Sequence, residues 1–248
     1  MKLNMGAFII KINAFIKGLI LWLRPHMLIG FLEKPFYFTA NLIKLSRWIS
    51  HNKVEGVLDD FFTAKRDYSK RFELYDYVSK KYNLYSDEIL YLEFGVFEGH
   101  SFKWWIGENI NLESKFYGFD TFEGLPEHWG VFFGKGTLMA NIPEITDTRA
   151  TFIKGLFQET LPGFIREGEV LSKKRKVILF DADLFSSTLF SLSSLHPVLN
   201  KGDIIFFDEF NVPNHEFHAL KIMEESYYLK TKLIGSVNNY YQIALEVI

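Results

Sequence analysis

Acidic side chains close four apolar, strand-like segments of this 248-residue chain. The segments and their acids are 89–95 with Glu93, 116–120 with Asp120, 177–183 with Asp181, and 202–210 with Asp208 and Glu209. Because the carboxyl ends of parallel strands meet at one edge of an open sheet, we expect these carboxylates to converge there. Carboxylates in such a place can bind a metal ion, accept hydrogen bonds from sugar hydroxyls, or take up a proton.

Asp181, Asp208 and Glu209 are the most specific of these groupings, since they follow strands that we predict to be neighbours. Three carboxylates held together repel one another unless a cation neutralises them. The chain has no cysteine, so all ligands would be oxygen atoms, which favours Mg²⁺, Mn²⁺ or Ca²⁺ over zinc. The alternative is that a carboxylate here caps the following helix, as Asp183 can do before Ser186.

A glycine-bearing turn joins the first strand-like segment to a helical one. Residues 91–101 read Y-L-E-F-G-V-F-E-G-H-S, and residues 102–110 favour a helix. Gly95 and Gly99 let the backbone approach a ligand without an intervening Cβ, and a helix N-terminus offers unpaired N–H groups. Asp120 follows about 25 residues later, where an acid can accept hydrogen bonds from ribose hydroxyls. The pattern predicts a site for a nucleotide-like cofactor.

Strand-like and helical segments alternate from residue 86 onward. This alternation predicts an α/β fold with a mostly parallel sheet and helices on both of its faces. A further strand is expected at 152–155 and a late helix at 214–227. The last two strands, 233–237 and 241–247, have no helix-length segment between them, so we expect them to be antiparallel.

The connector at residues 124–145 is long for a compact domain. Connectors of this length are often lids or binding loops. This one contains Trp129, Phe132 and Phe133, whose rings can stack on a sugar or on an aromatic ligand.

Charge divides the chain unevenly. Residues 1–54 contain eight basic residues and one acidic residue, a net charge of +7, whereas the remainder contains 20 basic and 29 acidic residues, a net charge of −9. We predict a basic amphipathic helical head at 1–53, a helical lead-in or cap at 54–85 with one helix over 54–82, and an α/β domain at 86–248. A basic, apolar head on an acidic body favours a membrane surface or a protein partner over nucleic acid.

The head begins with an apolar run at residues 7–23. Lys11 and Lys17 interrupt it, so we expect no transmembrane helix, and no small-residue cleavage site follows, so we expect no signal peptide. On a helical projection Lys17 and Arg24 belong to a narrow basic stripe opposite a wide apolar face. That pattern predicts a helix that lies in a membrane interface.

Pro25 should end this helix, and residues 35–49 repeat the apolar and basic pattern. The alternative, which the sequence favours equally, is that both helices pack on the body or on a second subunit of a homo-oligomer. The expected location is the cytoplasm, with peripheral binding at the inner membrane face.

Five segments carry specific motifs in a fixed order: E-F-G-V-F-E-G-H-S at 93–101, G-F-D-T-F-E-G-L-P-E-H-W at 118–129, F-I-K-G-L-F-Q-E-T-L-P at 152–162, F-D-A-D-L-F-S-S-T at 180–188 and G-D-I-I-F-F-D-E-F at 202–210. Together they resemble the motifs of the macrocin O-methyltransferase family over about residues 88–212. Those proteins are class I S-adenosylmethionine-dependent enzymes that methylate sugar hydroxyls. The resemblance implies a class I, Rossmann-like methyltransferase domain at 86–248, with S-adenosyl-L-methionine and Mg²⁺ or another divalent cation as cofactors.

The resemblance also implies a role for each matching residue. The cofactor-binding residues would be Glu93, Gly95, Gly99 and Ser101 at the methionine part, Asp120 at the ribose, and Thr121, Phe122 and Gln158 near the adenine. The metal ligands would be Asp181, Asp208 and Glu209. The segment after Phe210, N-V-P-N-H-E-F-H, matches less well, so the resemblance leaves the acceptor pocket and the base unassigned.

The predicted function is metal-dependent O-methylation of a sugar or glycan hydroxyl by in-line methyl transfer. The candidate bases are Asp181 and His215, with His218 and His128 as alternatives. Two other functions stay open: methylation of a non-sugar acceptor such as a catechol-like diol, and a non-catalytic protein of this fold whose basic head binds membrane.

Overall fold

The structure is a computed structural model that describes residues 2–129, 133–172 and 174–248. Its contacts divide the chain into two compact units, 1–44 and 45–248. We call them the N-terminal unit and the C-terminal unit. The predicted three-part organisation, with boundaries after 53 and 85, stays a prediction.

The C-terminal unit is built on an eight-stranded sheet in the order β1-β7-β8-β6-β5-β2-β3-β4. The strands are β1 (Leu58–Asp59), β2 (Ile89–Phe94), β3 (Lys115–Asp120), β4 (Ala150–Lys154), β5 (Arg175–Phe180), β6 (Ile204–Phe207), β7 (Thr231–Val237) and β8 (Gln242–Val247). All pairs are parallel except those that β8 makes with β6 and β7. The predicted mostly parallel sheet with an antiparallel C-terminal strand is confirmed.

Apolar strands buried on both faces explain why this sheet is the centre of the core. All six residues of β2 are buried, as a strand between two layers of helices requires. Phe94 stacks on Phe119 and on Phe180, and Phe180 stacks on Phe207, with ring centroids 4.9 to 5.3 Å apart. This row of phenylalanines links four neighbouring strands just before their carboxyl ends, so it holds that edge of the sheet in register.

Helices cover both faces of the sheet. They are α4 (Lys70–Tyr82), α5 (His100–Glu108), α6 (Phe157–Glu167), α7 (Phe185–Leu195) and α8 (Glu216–Ser226). Buried residues of α4 and α5 pack on one face, and those of α6, α7 and α8 pack on the other. Short 3₁₀ turns at Glu169–Leu171 and His196–Val198 complete the connections.

The predicted helix over residues 54–82 is wrong in its first half. The chain there forms β1, which pairs with β7, and α4 begins only at Lys70. The carboxylate of Asp67 accepts hydrogen bonds from the N–H and the hydroxyl of Ser69, a local turn that competes with helix. Phe61 and Phe62 of this stretch are exposed.

Two asparagines of the turn between β7 and β8 hold residues 60–69, which we call the strap. Asn239 exchanges two hydrogen bonds with the backbone of Thr63, at 2.8 and 2.7 Å. Asn238 exchanges two with the backbone of Asp67, at 3.0 and 2.9 Å. The strap therefore has a defined path although it has almost no secondary structure of its own.

The N-terminal unit consists of α1 (Lys2–Leu23), α2 (His26–Ile29), a 3₁₀ turn (Gly30–Leu32) and the first part of α3 (Glu33–Asn52). The predicted helix end at Pro25 is confirmed, since Arg24 adopts a left-handed conformation with φ 46°. Gly6–Leu23 is long and apolar enough to cross a membrane, although a signal sequence passes the same test. We had expected no helix that could span a membrane. Lys11 and Lys17 lower the mean hydropathy of this window too little to exclude one.

The last part of α3 belongs to the C-terminal unit. Leu45 and Trp48 are buried in its core, where the ring of Trp48 lies 4.9 Å from that of Phe210. The indole N–H of Trp48 donates to Glu224 of α8 at 2.9 Å. Packing on the body therefore accounts for this part of the predicted second head helix, but not for the exposed Phe36 nearer its start.

Candidate active site

The carboxyl ends of β2, β5 and β6 lie side by side, and acidic residues follow directly. Phe94 pairs with Phe180, which pairs with Phe207. The backbone keeps this register beyond the strands: the N–H of Asp181 donates to the carbonyl of Phe94 at 2.9 Å, and that of Asp208 to Phe180 at 3.0 Å. Asp181 and Asp208 are therefore neighbours at the sheet edge, where the sequence placed them.

Arg71 of α4 lies between these two aspartates. Its Nη1 is 3.3 Å from Oδ2 of Asp181, and its Nη2 is 2.8 Å from Oδ2 of Asp208. The side chain of Asp208 is only 2% exposed and that of Arg71 only 16%, so water screens this pair weakly. A guanidinium thus supplies the positive charge that the sequence led us to assign to a metal ion.

Glu209 lies in a second set of polar contacts beside the first. Its Oε1 accepts a hydrogen bond from the hydroxyl of Tyr241, and its N–H donates to Oε2 of the buried Glu216 at 2.8 Å. Asp183 interacts with the side chain of Glu209, and this interaction contributes to the raised pKa of Asp183. Carboxyl groups held together in this way favour the protonated form. Asp183 does not cap α7, which has no side-chain cap, so that alternative is wrong.

We call Asp181, Asp183, Asp208 and Glu209 the acidic cluster. Burial is the main cause that raises the pKa of each of them, and charged neighbours within the cluster add to it for Asp183, Asp208 and Glu209. The pKa is raised to about 9 for Asp183 and to about 8 for Glu209. The charge of Arg71 lowers the pKa of Asp181 and Asp208 in part. One guanidinium therefore does not balance four carboxyl groups, and the cluster retains protons at neutral pH.

Two oxygens of the acidic cluster are buried without a hydrogen-bond partner, Oδ1 of Asp208 and Oε2 of Glu209. Buried acceptors are rarely left unpaired, and carboxylate oxygens are the ligands that Mg²⁺ prefers. Within residues 2–129, 133–172 and 174–248, however, no three Asp, Glu or His side chains are grouped closely enough to hold a metal ion. The donor chemistry fits a divalent cation, whereas the donors would have to move closer together.

The predicted strand, glycine turn and helix at residues 91–110 are confirmed, with α5 beginning at His100. Gly95 has φ 91°, and a Cβ added there would lie 1.9 Å from the carbonyl oxygen of Asp181. Gly99 has φ 73°, and its added Cβ would lie 2.7 Å from the ring of Pro143. Protein atoms are thus the close neighbours of both glycines, and Gly95 in particular lets β2 approach the end of β5.

Asp120 fixes the shape of this turn. Its Oδ2 accepts hydrogen bonds from the N–H groups of Val96 and Phe97 at 2.8 and 2.9 Å. Its Oδ1 accepts one from the N–H of Phe122 at 2.7 Å. The residue predicted to bind a ribose therefore already has a structural role, which the spacing alone did not indicate.

The other predicted cofactor residues lie at the end of β2 or in the segments that follow β2, β3 and β4. Glu93 is buried, accepts a hydrogen bond from Tyr91 at 2.6 Å, and has its pKa raised by burial. Ser101 is buried in α5, with its hydroxyl 3.4 Å from that of Tyr75. The remaining three differ in exposure: Thr121 is half-buried, Phe122 is buried, and Gln158 of α6 is exposed. The hydroxyl of Thr121 donates to the carbonyl of Gly124.

His215 immediately precedes α8. Burial lowers the pKa of its ring, an interaction with the backbone of Asp183 raises this pKa in part, and its Nδ1 is buried without a partner. His218 is in α8 with its ring 4.9 Å from that of Phe185. His128 lies on the connector between β3 and β4, where Trp129 stacks on Phe133 at 4.7 Å. The predicted aromatic residue Phe132 lies outside the described residues.

Sequence reasoning missed Arg71, Tyr241 and the role of Asp183. Arg71 stood in a segment predicted only to cover the cleft, and nothing marked which of its basic residues would turn inward. Tyr241 follows a turn of three left-handed residues and meets Arg66 of the strap, whose guanidinium lies 3.5 Å from its ring centroid. The D-A-D pattern at 181–183 was the one available signal, and it suggested a cap instead.

Comparison with known proteins extends this description. Residues 92–210 match a protein-family model described as a methyltransferase domain. No curated protein matches the chain by sequence. Among solved structures, the calicheamicin methyltransferase CalS11 has a TM-score of 0.56 and 18% identity, over 84% of this chain and 91% of that one.

A second structure of CalS11, described as a TDP-rhamnose 3'-O-methyltransferase, has a TM-score of 0.52 and 18% identity, over 84% and 93% of the two chains. The O-methyltransferase NovP has a TM-score of 0.50 and 17% identity, over 68% and 74%. At 17–18% identity, the similarity to these solved structures establishes only the fold. The type of domain follows from the family model that residues 92–210 match. Residues 92–210 form a methyltransferase domain, and the protein is a methyltransferase with the class I fold.

Proposed function

We propose that the protein methylates a hydroxyl group of a sugar or glycan with the help of a divalent cation, as the macrocin O-methyltransferases do. The observation that carries this proposal is the juxtaposition of two features at one sheet edge. The glycine turn held by Asp120 suits a nucleotide-like cofactor. The acidic cluster, with its two unpaired buried oxygens, suits a cation that orients a hydroxyl.

The cofactor would bind along the ends of β2, β3 and β4. The proposed contacts are Glu93, Gly95, Gly99 and Ser101 at the methionine part, Asp120 at the ribose, and Thr121, Phe122 and Gln158 near the adenine. Asp120 would share its carboxylate between the turn and the ribose, because both of its oxygens already accept backbone hydrogen bonds. A carboxylate held in this way loses little conformational freedom when the ligand arrives.

Asp181, Asp208 and Glu209 are the proposed cation ligands. A bound divalent cation would polarise the acceptor hydroxyl and lower its pKa. Arg71 contacts Oδ2 of both aspartates, so a cation that used the same oxygens would compete with the guanidinium. Two positive charges within a few ångströms repel strongly in a buried site. We therefore expect Arg71 to turn away from the cluster when the cation binds.

The chain must hold an acceptor oxygen in line with the methyl–sulfur bond. The oxygen–carbon bond then forms as the carbon–sulfur bond breaks, and the hydroxyl proton passes to a base. The lowered pKa of His215 keeps its ring neutral near pH 7, and the unpaired Nδ1 can accept a proton. Asp181 is the second proposed base, acting as a carboxylate that contacts the cation.

A sugar acceptor is supported by two features. One of the structures with this fold, CalS11, is described as a TDP-rhamnose 3'-O-methyltransferase. In this chain the stacked pair Trp129 and Phe133 lies on the long connector after β3, and an aromatic face of that kind can pack on a sugar ring.

Calorimetric titration of S-adenosylmethionine and of its demethylated product, with and without Mg²⁺, tests the cofactor assignment. We expect binding by the wild-type protein and its loss in Asp120→Ala. A screen of sugar nucleotides and catechols with methyl-labelled cofactor then tests the acceptor class. Binding of neither cofactor form under any metal condition would overturn the proposal, and labelling of catechols alone would overturn the sugar acceptor.

A further inference from the structure

Apolar side chains are exposed all around α1. Eleven large apolar residues between positions 8 and 23 are exposed, and none of the window Gly6–Leu23 is buried. They include every residue from Leu19 to Leu23, which is more than one full helical turn. A helix that is apolar on all sides belongs in a protein core or in a lipid bilayer rather than in water.

The connection that follows α1 is apolar as well. It reads H-M-L-I-G-F-L at 26–32, and Met27, Leu28 and Phe31 are each more than 70% exposed. Connections between helices that face water are ordinarily polar, since turns and loops lie at the surface. The exposed apolar surface therefore extends beyond one helix into the bend that follows it.

Charge indicates what covers this surface. Residues 1–44 contain six basic residues and one acidic residue, a net charge of +5. A second copy of the unit would bring equal positive charges together, whereas anionic lipid headgroups complement them. Lys11 and Lys17 lie within the apolar window, and their long side chains can extend from the hydrocarbon to the headgroups.

We propose that residues 1–44 anchor this methyltransferase in a lipid bilayer that contains anionic lipids. The window Gly6–Leu23 spans roughly 27 Å as a helix, close to the roughly 30 Å of a hydrocarbon layer. The anchor goes beyond the proposed function and does not depend on the identity of the acceptor. It places the methyl-transfer site at a membrane, where acceptors attached to lipids are concentrated.

Vesicle flotation of the full-length protein, purified in a mild detergent, tests the anchor. We expect the protein to float with vesicles of phosphatidylcholine and phosphatidylglycerol. Phe15→Glu puts a charge in the middle of the apolar window and should lower partitioning on the order of 100-fold. Leu112→Glu makes the same kind of change at an exposed apolar residue of the C-terminal unit and should leave partitioning unchanged. Replacing Lys11 and Lys17 by Gln together should reduce the preference for anionic vesicles.

Three results would overturn the anchor. The first is failure of the full-length protein to float. The second is an equal loss of partitioning in Phe15→Glu and Leu112→Glu. The third is a lipid-free dimer in sedimentation experiments that Phe15→Glu dissociates while vesicles leave the wild type unbound, which would assign the surface to contacts between copies. Titration of S-adenosylmethionine into the same variants separates failure of the anchor from failure of the proposed function. The anchor variants should bind the cofactor as the wild type does.

Discussion

The two sides of the candidate active site differ in how their polar groups are satisfied. On the turn side, both oxygens of Asp120 accept hydrogen bonds from nearby backbone N–H groups. In the acidic cluster, Asp208 and Glu209 each leave a buried oxygen unpaired, and Arg71 balances only part of the charge. All the acceptor oxygens of Asp120 have hydrogen-bond partners without a ligand, whereas two buried oxygens of the acidic cluster have none. We therefore expect ligands to reshape the cluster and to leave the turn nearly unchanged.

The largest effect is expected from a change that breaks the turn side. In Gly95→Ala the new Cβ would meet the carbonyl of Asp181 at 1.9 Å, on a backbone with φ 91°. We expect the free energy of unfolding to fall by about 4 kcal/mol or more, measured by urea denaturation. Gly107→Ala in α5 is the matched control, because its Cβ meets no atom within 4 Å and should stabilise the helix by about 0.5–1 kcal/mol. Equal effects of the two changes would contradict the close approach of β2 to β5.

Asp120→Ala tests whether the turn is fixed before the cofactor binds. Three backbone N–H groups lose their acceptor, so we expect a loss of about 2–3 kcal/mol in the cofactor-free protein. Asp120→Asn keeps one acceptor oxygen and should lose about half as much. An unchanged unfolding curve for Asp120→Ala would mean that the carboxylate serves the ligand alone.

Arg71→Gln tests the acidic cluster. Without a cation it leaves Asp181 and Asp208 without their counter-charge, so we expect a loss of about 1–3 kcal/mol in EDTA. The same change removes the competitor, so Mg²⁺ should bind on the order of tenfold more tightly in calorimetry. Lys70→Gln is the neighbouring control, since Lys70 pairs with Asp60 outside the cluster. Weaker Mg²⁺ binding in Arg71→Gln would show that the arginine supports the cation site.

The last prediction concerns the pH dependence of stability. The pKa of Asp183 rises from 3.8 to about 9 on folding, so the folded state keeps a proton that the unfolded state loses. Its stabilising contribution is full below pH 3.8 and is lost as the pH rises towards 9, by about 1.4 kcal/mol per pH unit at most. Asp183→Asn should therefore flatten the fall in stability between about pH 6 and pH 8, measured by thermal unfolding. An identical slope in the variant would assign the dependence to another group.

The strands of the site were predictable because each is a short apolar run that ends in a glycine or an acid. The placement of Asp181 beside Asp208 followed from the neighbouring positions of β5 and β6. The start of α4 was not predictable, because Asn238 and Asn239 hold the strap from about 170 residues away. Local composition carries no information about such a contact.

The side-chain contacts of the acidic cluster were also beyond the sequence. Asp183 adopts a left-handed backbone conformation with φ 58°, which its residue type alone does not specify, and Glu209 contributes to its raised pKa. The contact between Tyr241 and Glu209 depends on β8 running antiparallel beside β6. The motif resemblance indicated which residues could bind a cation or a cofactor. The contacts that each side chain makes are determined only when the strands have assembled into the sheet.

The position of β8 has a consequence for the order of events during biosynthesis. This strand is the last of the eight to be translated, yet it lies inside the sheet, between β6 and β7. A nascent chain can pair β2 to β6 once residue 207 has emerged, but Tyr241 and both strap-holding asparagines come later. The acidic cluster therefore acquires its last wall only when β8 has inserted between β6 and β7, so the site is completed later than the strands that carry its aspartates.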